Sequence, residues 1–365
     1  MKKLKQLMLA GSVAFSAAGV VAEENVLNVY NWSDYIAENT LANFEKETGI
    51  KVTYDVFDSN DVLEAKLLSG KTGYDLVVPS ATFMARQIEA GVFQKLDMSK
   101  LSNHKELDAA MMKKLSALDP DNAYSIPYLW GTTGIGINVA KVKERLGDDF
   151  PVDTWDLIFK PEVVSKLADC GVSMLDAWDE IVPSVLNYLG EDPSSTDKNL
   201  LSGKVTDVLK SIRPHVRYFH SSQYINDLAN GDVCLSVGWS GDILQAVDRA
   251  AEAENGVEVA YIIPKEGAGL WFDMLAIPKD ASHPNNAHTF LNYLMRPDVI
   301  ADITNYVWYP NAVPASTSKI DEEITSDPSI YPTPEVAANL FTFPVYGPKF
   351  DRQGARMWTA VKSNK

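Results

Sequence analysis

The chain has 365 residues, 46% of them hydrophobic, and sets 33 Lys and Arg against 49 Asp and Glu for a formal net charge of −16. Apolar material is ample, and the length exceeds what one hydrophobic core organises, so two lobes are expected. So acidic a chain is a poor partner for nucleic acid, because its surface repels phosphate, and it favours the approach of cations.

The first residues, Met1-Lys2-Lys3-Leu4-Lys5, give a positive start, and Leu7 to Val21 carries no charge. With the small-residue site Val20-Val21-Ala22 this is the layout of a secretory signal peptide over residues 1–22, cut after Ala22. The apolar run is shorter than the roughly 20 residues that cross a bilayer. The mature chain is expected to begin near Glu23, and no Cys stands there to carry a lipid anchor, the first being Cys170. Removing residues 1–22 takes away three Lys and no acid, which leaves a formal charge of −19. Cys170 and Cys234 are the two cysteines of the chain. In an oxidising compartment such a pair usually closes a bridge, with two buried thiols as the alternative.

Leu27 to Trp32 alternates like a strand, and Ile36 to Thr48 then carries Ile36, Leu41 and Phe44 at helical spacing before a stop at Gly49. Lys51 to Phe57 alternates again, and Asp61-Val62-Leu63-Glu64 has the form of a capping box opening a helix that ends near Gly70. Asp75-Leu76-Val77-Val78 is a short apolar run suited to a parallel strand buried on both faces, and a helix through Met84 and Ile88 stops at Gly91. Strands alternating with helices define an α/β lobe.

A second set starts with the strand Gly134-Ile135-Gly136-Ile137, followed by helices near Glu162–Leu167 and Trp178–Leu189. Val233 to Val237 predicts a strand and Ile243 to Glu254 a helix; Gly256 to Ile263 and Leu270 to Ile277 predict two more strands. The lobes are assigned to residues 26–132 plus 262–303 and to 133–261 plus 304–365.

Open α/β sheets bind ligands beyond the carboxyl ends of their strands, and the residues at those points are rich in aromatics and acids. Trp32-Ser33-Asp34-Tyr35 follows the first strand, Ser80 the third, and Gly238-Trp239-Ser240-Gly241-Asp242 the strand at 233–237. Trp271-Phe272-Asp273 lies on a strand whose alternation puts Trp271 and Asp273 on one face. Three segments thus each offer a Trp with an Asp two or three residues away. Indole faces hold alkyl chains and attract cations, and carboxylates take ammonium ends in charge-assisted hydrogen bonds. The combination fits an aliphatic polycation.

Enzyme readings fare worse. Gly238-Trp239-Ser240-Gly241-Asp242 approaches a nucleophile elbow, but its last Gly is replaced by Asp. His215 and His220, like His283 and His288, are five apart, not the i,i+4 spacing of a helical zinc pair, and read as surface or loop residues. Gly267 and Gly269 complete no dinucleotide motif. No catalytic group, metal or cofactor is expected.

These segments, with Tyr74-Asp75-Leu76-Val77-Val78-Pro79-Ser80, Cys170-Gly171-Val172-Ser173-Met174-Leu175-Asp176 and the stretch from Arg217 to Asp232, make the chain resemble the periplasmic polyamine-binding proteins of Gram-negative ABC-type uptake systems. The resemblance covers essentially the whole mature sequence and is nearest to the spermidine-preferring member of Pseudomonas-type systems. It implies the type II periplasmic binding protein fold, two α/β lobes joined by crossover strands that close on a polyamine. It also implies a monomer that delivers its ligand to an inner-membrane ABC permease. By matching motif, Trp32, Trp239 and Trp271 would box the methylene chain with Tyr35 and Tyr309 beside them. Asp242 and Asp273 would hold one ammonium, and Asp34, Ser33, Ser80, Glu180 and Ser221 the remainder. A Cys170–Cys234 disulfide matches the family as well. Two departures favour a longer, more highly charged ligand: Trp271 stands where putrescine-preferring relatives have Phe, and Pro344 where one has a Lys. A choline-like ammonium and a secreted hydrolase are the competing readings; the first would need one aromatic cage, the second turnover of a substrate.

Overall fold

The computed structural model describes residues 24–363. The signal peptide expected over residues 1–22 and the mature start at Glu23 lie outside the described residues.

Strand β1 (Val26–Trp32) pairs in parallel with β2 (Lys51–Phe57) on one side and β3 (Leu76–Val77) on the other. Helices Thr40–Thr48 and Asn60–Ser69 make the connections, the alternation expected of an α/β lobe. The first helix ends at Gly49 in the left-handed conformation, φ 74°, as a glycine stop requires. It begins at Thr40 and not at Ile36, because the chain before it turns back on itself, Thr40 N–H bonding the Ala37 carbonyl at 3.0 Å. The second helix is capped by Ser59, whose hydroxyl accepts the Asp61 N–H at 3.2 Å, so Asp61 is already helical and no Asp61–Glu64 box forms. Glu64 is drawn instead into an ion pair with Arg86.

The largest difference from the sequence reading is β4 (Ser125–Asn138), a strand of 14 residues where only the part from Gly134 was expected. Pro127 and Gly131 look like breaks, but the ladder shifts register between Pro127 and Trp130, and a proline is tolerated at such an irregularity. The first part of β4 pairs with β9 (Gly269–Ala276), the later part with β7 (Leu235–Trp239) and β8 (Val259–Ile262), all antiparallel. With β5 (Val172–Met174), β6 (Tyr218–Phe219) and β10 (Phe341–Thr342) the sheet runs β2-β1-β3-β9-β4-β7-β5-β6, β10 pairing with β9 and β8 with β4.

Two hydrophobic clusters lie along this sheet. One gathers Leu27, Phe44, Leu76, Met84, Ile126, Leu275, Phe290 and Tyr309; the other Ile137, Trp155, Val172, Ile181, Tyr224, Val237 and Trp358. Trp239 packs against both. Val307, Tyr309, Ala312 and Val313 belong with the first cluster, and Ile320, Ile324, Ile330, Tyr346, Phe350 and Trp358 with the second. Cys170 and Cys234, both buried, form a disulfide with their Cα atoms 5.6 Å apart, tying the approach to β5 to the approach to β7.

One histidine is not where the surface or loop reading put it. His288 is buried in helix Pro284–Leu294, donating from Nδ1 to the Pro284 carbonyl at 2.6 Å and accepting the Asp97 N–H on Nε2 at 2.8 Å. His283 precedes that helix with Nδ1 3.0 Å from the buried Asp75 carboxylate. Their polar atoms serve packing, and no group of acids, His and Cys arranged for a metal occurs among the described residues.

Candidate functional site

A cavity of about 360 Å³ lies between the two clusters, lined by Trp32, Ser33, Tyr35, Ser80, Glu180, Trp239, Asp242, Trp271, Asp273 and Tyr309. Each wall comes from the end or the inward face of an element. Trp32 closes β1, its Nε1 donating to the Val78 carbonyl at 2.8 Å, and its ring meets that of Trp239 edge-on with centroids 5.5 Å apart. Trp239 is the last residue of β7 and immediately precedes helix Ser240–Glu252, which carries Asp242 in its first turn. Glu180 stands in the first turn of helix Trp178–Tyr188. The N-terminal end of a helix favours a carboxylate, which is one reason these acids tolerate burial. On β9, alternation brings Trp271 and Asp273 to the cavity together. Trp271 lies 5.3 Å from the Tyr309 ring, and Gly131 makes room for it, since a Cβ there would fall 2.7 Å from Trp271 Cζ2.

The electrostatics follow from burial. Glu180 accepts from the Thr133 hydroxyl and from Trp239 Nε1, the latter at 3.0 Å. Asp242 accepts from Tyr224 and Tyr309, each at 2.7 Å. Asp273 accepts from Ser80 at 2.6 Å, and the Tyr35 hydroxyl lies close by without completing a hydrogen bond of normal length. All these donors are neutral. Desolvation pushes the Glu180, Asp242 and Asp273 carboxyls up to about 7, against the pull of their hydrogen bonds. A cation placed among them would meet three acceptors whose negative charge no Lys or Arg of the described residues neutralises by direct pairing.

Two expected residues point elsewhere. Asp34 has left-handed backbone, φ 53°, and its carboxylate turns from the cavity to pair with Arg249 at 2.7 Å. Ser221 borders a smaller recess beyond Glu180 and Trp239, its hydroxyl accepting the Asp176 N–H at 3.1 Å. Three residues that sequence reasoning missed complete the construction: Thr133 and Tyr224, which hold Glu180 and Asp242, and Asn60, whose amide brackets Ser80. No pattern marks them, because each acts across 18 or more positions of chain.

An acid-lined, aromatic-walled cavity between two α/β cores is the arrangement of a solute-binding protein. Residues 39–333 match the family of bacterial extracellular solute-binding proteins, and the chain belongs to it. It is 56% identical to the putrescine-binding periplasmic protein PotF of Escherichia coli, across 100% of this chain and 98% of that one, and equally to the putrescine-binding periplasmic protein SpuD of Pseudomonas aeruginosa. A solved structure from Listeria monocytogenes, assigned as a spermidine/putrescine ABC transporter, superposes with a TM-score of 0.83 at 33% identity over 93% of this chain and 100% of that one. The fold is the type II solute-binding fold, and these relatives are substrate-binding proteins of ABC transporters, not enzymes. Ser240 of the near-elbow is buried, its hydroxyl accepting the Thr132 N–H at 3.4 Å. No helix among the described residues is long and apolar enough to cross a membrane.

Proposed function

We propose that this chain captures a linear polyamine in the periplasm and hands it, as a monomer, to an inner-membrane ABC permease, with spermidine preferred over putrescine. The observation that carries the reading is the set of three buried carboxylates, Glu180, Asp242 and Asp273, hydrogen-bonded only to neutral donors around a cavity walled by Trp32, Trp239 and Trp271. Ammonium groups supply the missing positive charge and methylenes lie against the indoles. The acids stand on three separate elements, which suits amines distributed along a chain better than the single cage of a choline-like ammonium. Periplasmic polyamine-binding relatives at up to 56% identity support the same reading, as does the export signal expected to be cut near Ala22.

The relatives at 56% identity are putrescine-binding proteins, so the ranking of spermidine rests on pocket chemistry. Trp271 offers a wider cation-attracting face than Phe, and Pro344 follows Phe343, which lines a neighbouring pocket on the other side of Glu180 and Trp271, with no charge to repel a further amine. Closure of the lobes 26–132 plus 262–303 and 133–261 plus 304–365 around the ligand brings the walls together, the stretch with Val307, Tyr309, Ala312 and Val313 packing on the first lobe and moving with it, and Asp34 and Ser221 serving the rim. Calorimetric titration with putrescine, spermidine, spermine and choline tests this. Tightest binding of spermidine is expected, tighter putrescine binding would reverse the ranking, and binding of choline alone would overturn the polyamine reading.

A further inference from the structure

Tyr224 begins helix Tyr224–Ala229 and is completely buried, its ring packed on Gly238, where a Cβ would fall 2.4 Å from Tyr224 Cε2. Its hydroxyl oxygen accepts the Trp239 N–H at 3.1 Å and donates to Asp242 Oδ2 at 2.7 Å. With Asp242 ionised, the state that meets an ammonium, the direction follows, since a backbone N–H can only donate and a carboxylate can only accept. Tyr309 is built the same way, accepting the Asp242 N–H at 3.0 Å and donating to Oδ1 at 2.7 Å. The two tyrosines differ in where they are rooted. Tyr309 packs in the first cluster, whereas Tyr224 shares the second cluster with the strand and helix that carry Trp239 and Asp242.

We propose that Tyr224 is a positioning residue for the polyamine site, one that fixes the Asp242 carboxylate and the Trp239 backbone relative to each other within a single lobe. The inference rests on the polyamine reading of the cavity and deepens it. When the lobes part, the Tyr309 bond crosses between them and is lost, while the Tyr224 bond moves with Asp242 and keeps the carboxylate aimed at the open cleft. The ammonium then meets a preorganised acceptor, and binding does not bear the entropy of orienting it.

The test is a double-mutant cycle read by calorimetry with putrescine and spermidine. Tyr224→Phe keeps the ring that fills the space over Gly238 and deletes only the hydroxyl. It is expected to weaken binding of both ligands about tenfold, the scale of one hydrogen bond to a charged group. In an Asp242→Ala background the same substitution is expected to change affinity less than twofold, because the group it positions is gone. Gly238→Ala, which pushes the ring aside, should repeat the pattern. Equal losses in both backgrounds would mean that Tyr224 acts on the fold and not through Asp242, and no loss in the native background would equally overturn the proposal. Native affinity in Asp242→Ala alone would remove the reading of the site itself, a result distinct from either.

Discussion

Replacing Asp242 by Asn changes one atom of a buried side chain, and the structure makes the consequence unusually severe. Both hydroxyls that meet this carboxylate give it their single proton, Tyr224 while accepting the Trp239 N–H and Tyr309 while accepting the Asp242 N–H. An asparagine can receive one of them on its carbonyl oxygen, but its NH2 then faces the other donor at a distance set by a 2.7 Å hydrogen bond. The ammonium of the ligand loses its ionic partner in the same step. Truncating one member of a buried hydrogen-bonded charge pair costs about 2–5 kcal/mol, roughly 30-fold or more in Kd. Titration calorimetry with spermidine and putrescine, on protein shown to be folded by circular dichroism, reads the loss directly. A folded mutant whose Kd for both ligands stays within threefold of native would refute the reasoning and remove Asp242 from the site.

Trp271→Phe is expected to weaken spermidine by up to roughly 30-fold, the equivalent of a desolvated cation–π contact of about 2 kcal/mol, and to leave putrescine equal or improved; parallel loss of both with a lower melting temperature would show that Trp271 only packs. The disulfide closes a loop with a sequence separation of 64, which the chain-entropy account values at about 4 kcal/mol, so reduction should lower the melting temperature markedly, and two alkylatable thiols in freshly isolated protein would contradict the bond. Glu180, Asp242 and Asp273 hold their protons to about pH 7 in the unliganded cavity, while the unfolded chain releases them near pH 4. Folded pKa values raised above the unfolded ones mean that this contribution to stability is fully present below the unfolded values and is lost as pH rises toward 7. Polyamine replaces those protons with ammonium, so the thermal shift produced by saturating spermidine should be larger at pH 8 than at pH 5.5, and equal shifts would tell against ionised carboxylates as the ligand's partners.

The sequence by itself determined the features that depend on neighbours close along the chain. Period-two alternation located β1, β2 and β9, and on β9 it set Trp271 and Asp273 on one face, where both now line the cavity. The Gly49 stop needed only its own left-handed conformation to be legible. The aromatic and acidic residues at strand ends marked the site, because a strand's last residue opens onto the cleft wherever the sheet runs. Resemblance to a family supplied Glu180 and Tyr309, which composition and spacing could not.

Tertiary structure decided what depends on partners distant in sequence. Asp34 has the same local setting beside a tryptophan as Asp273, yet Arg249, 215 positions away, draws it out of the cavity. Thr133 reaches Glu180 across 47 positions and Tyr309 reaches Asp242 across 67, and neither has a periodicity to announce it. β4 runs through Pro127 because a shift in the ladder with β9 absorbs the missing N–H, a fact fixed by the partner strand and not by the proline. His288 is buried because Asp97 and Pro284 satisfy its two ring nitrogens. In each case the polar group's fate depends on whether a complementary group arrives through space, and that is settled only when the two cores have packed.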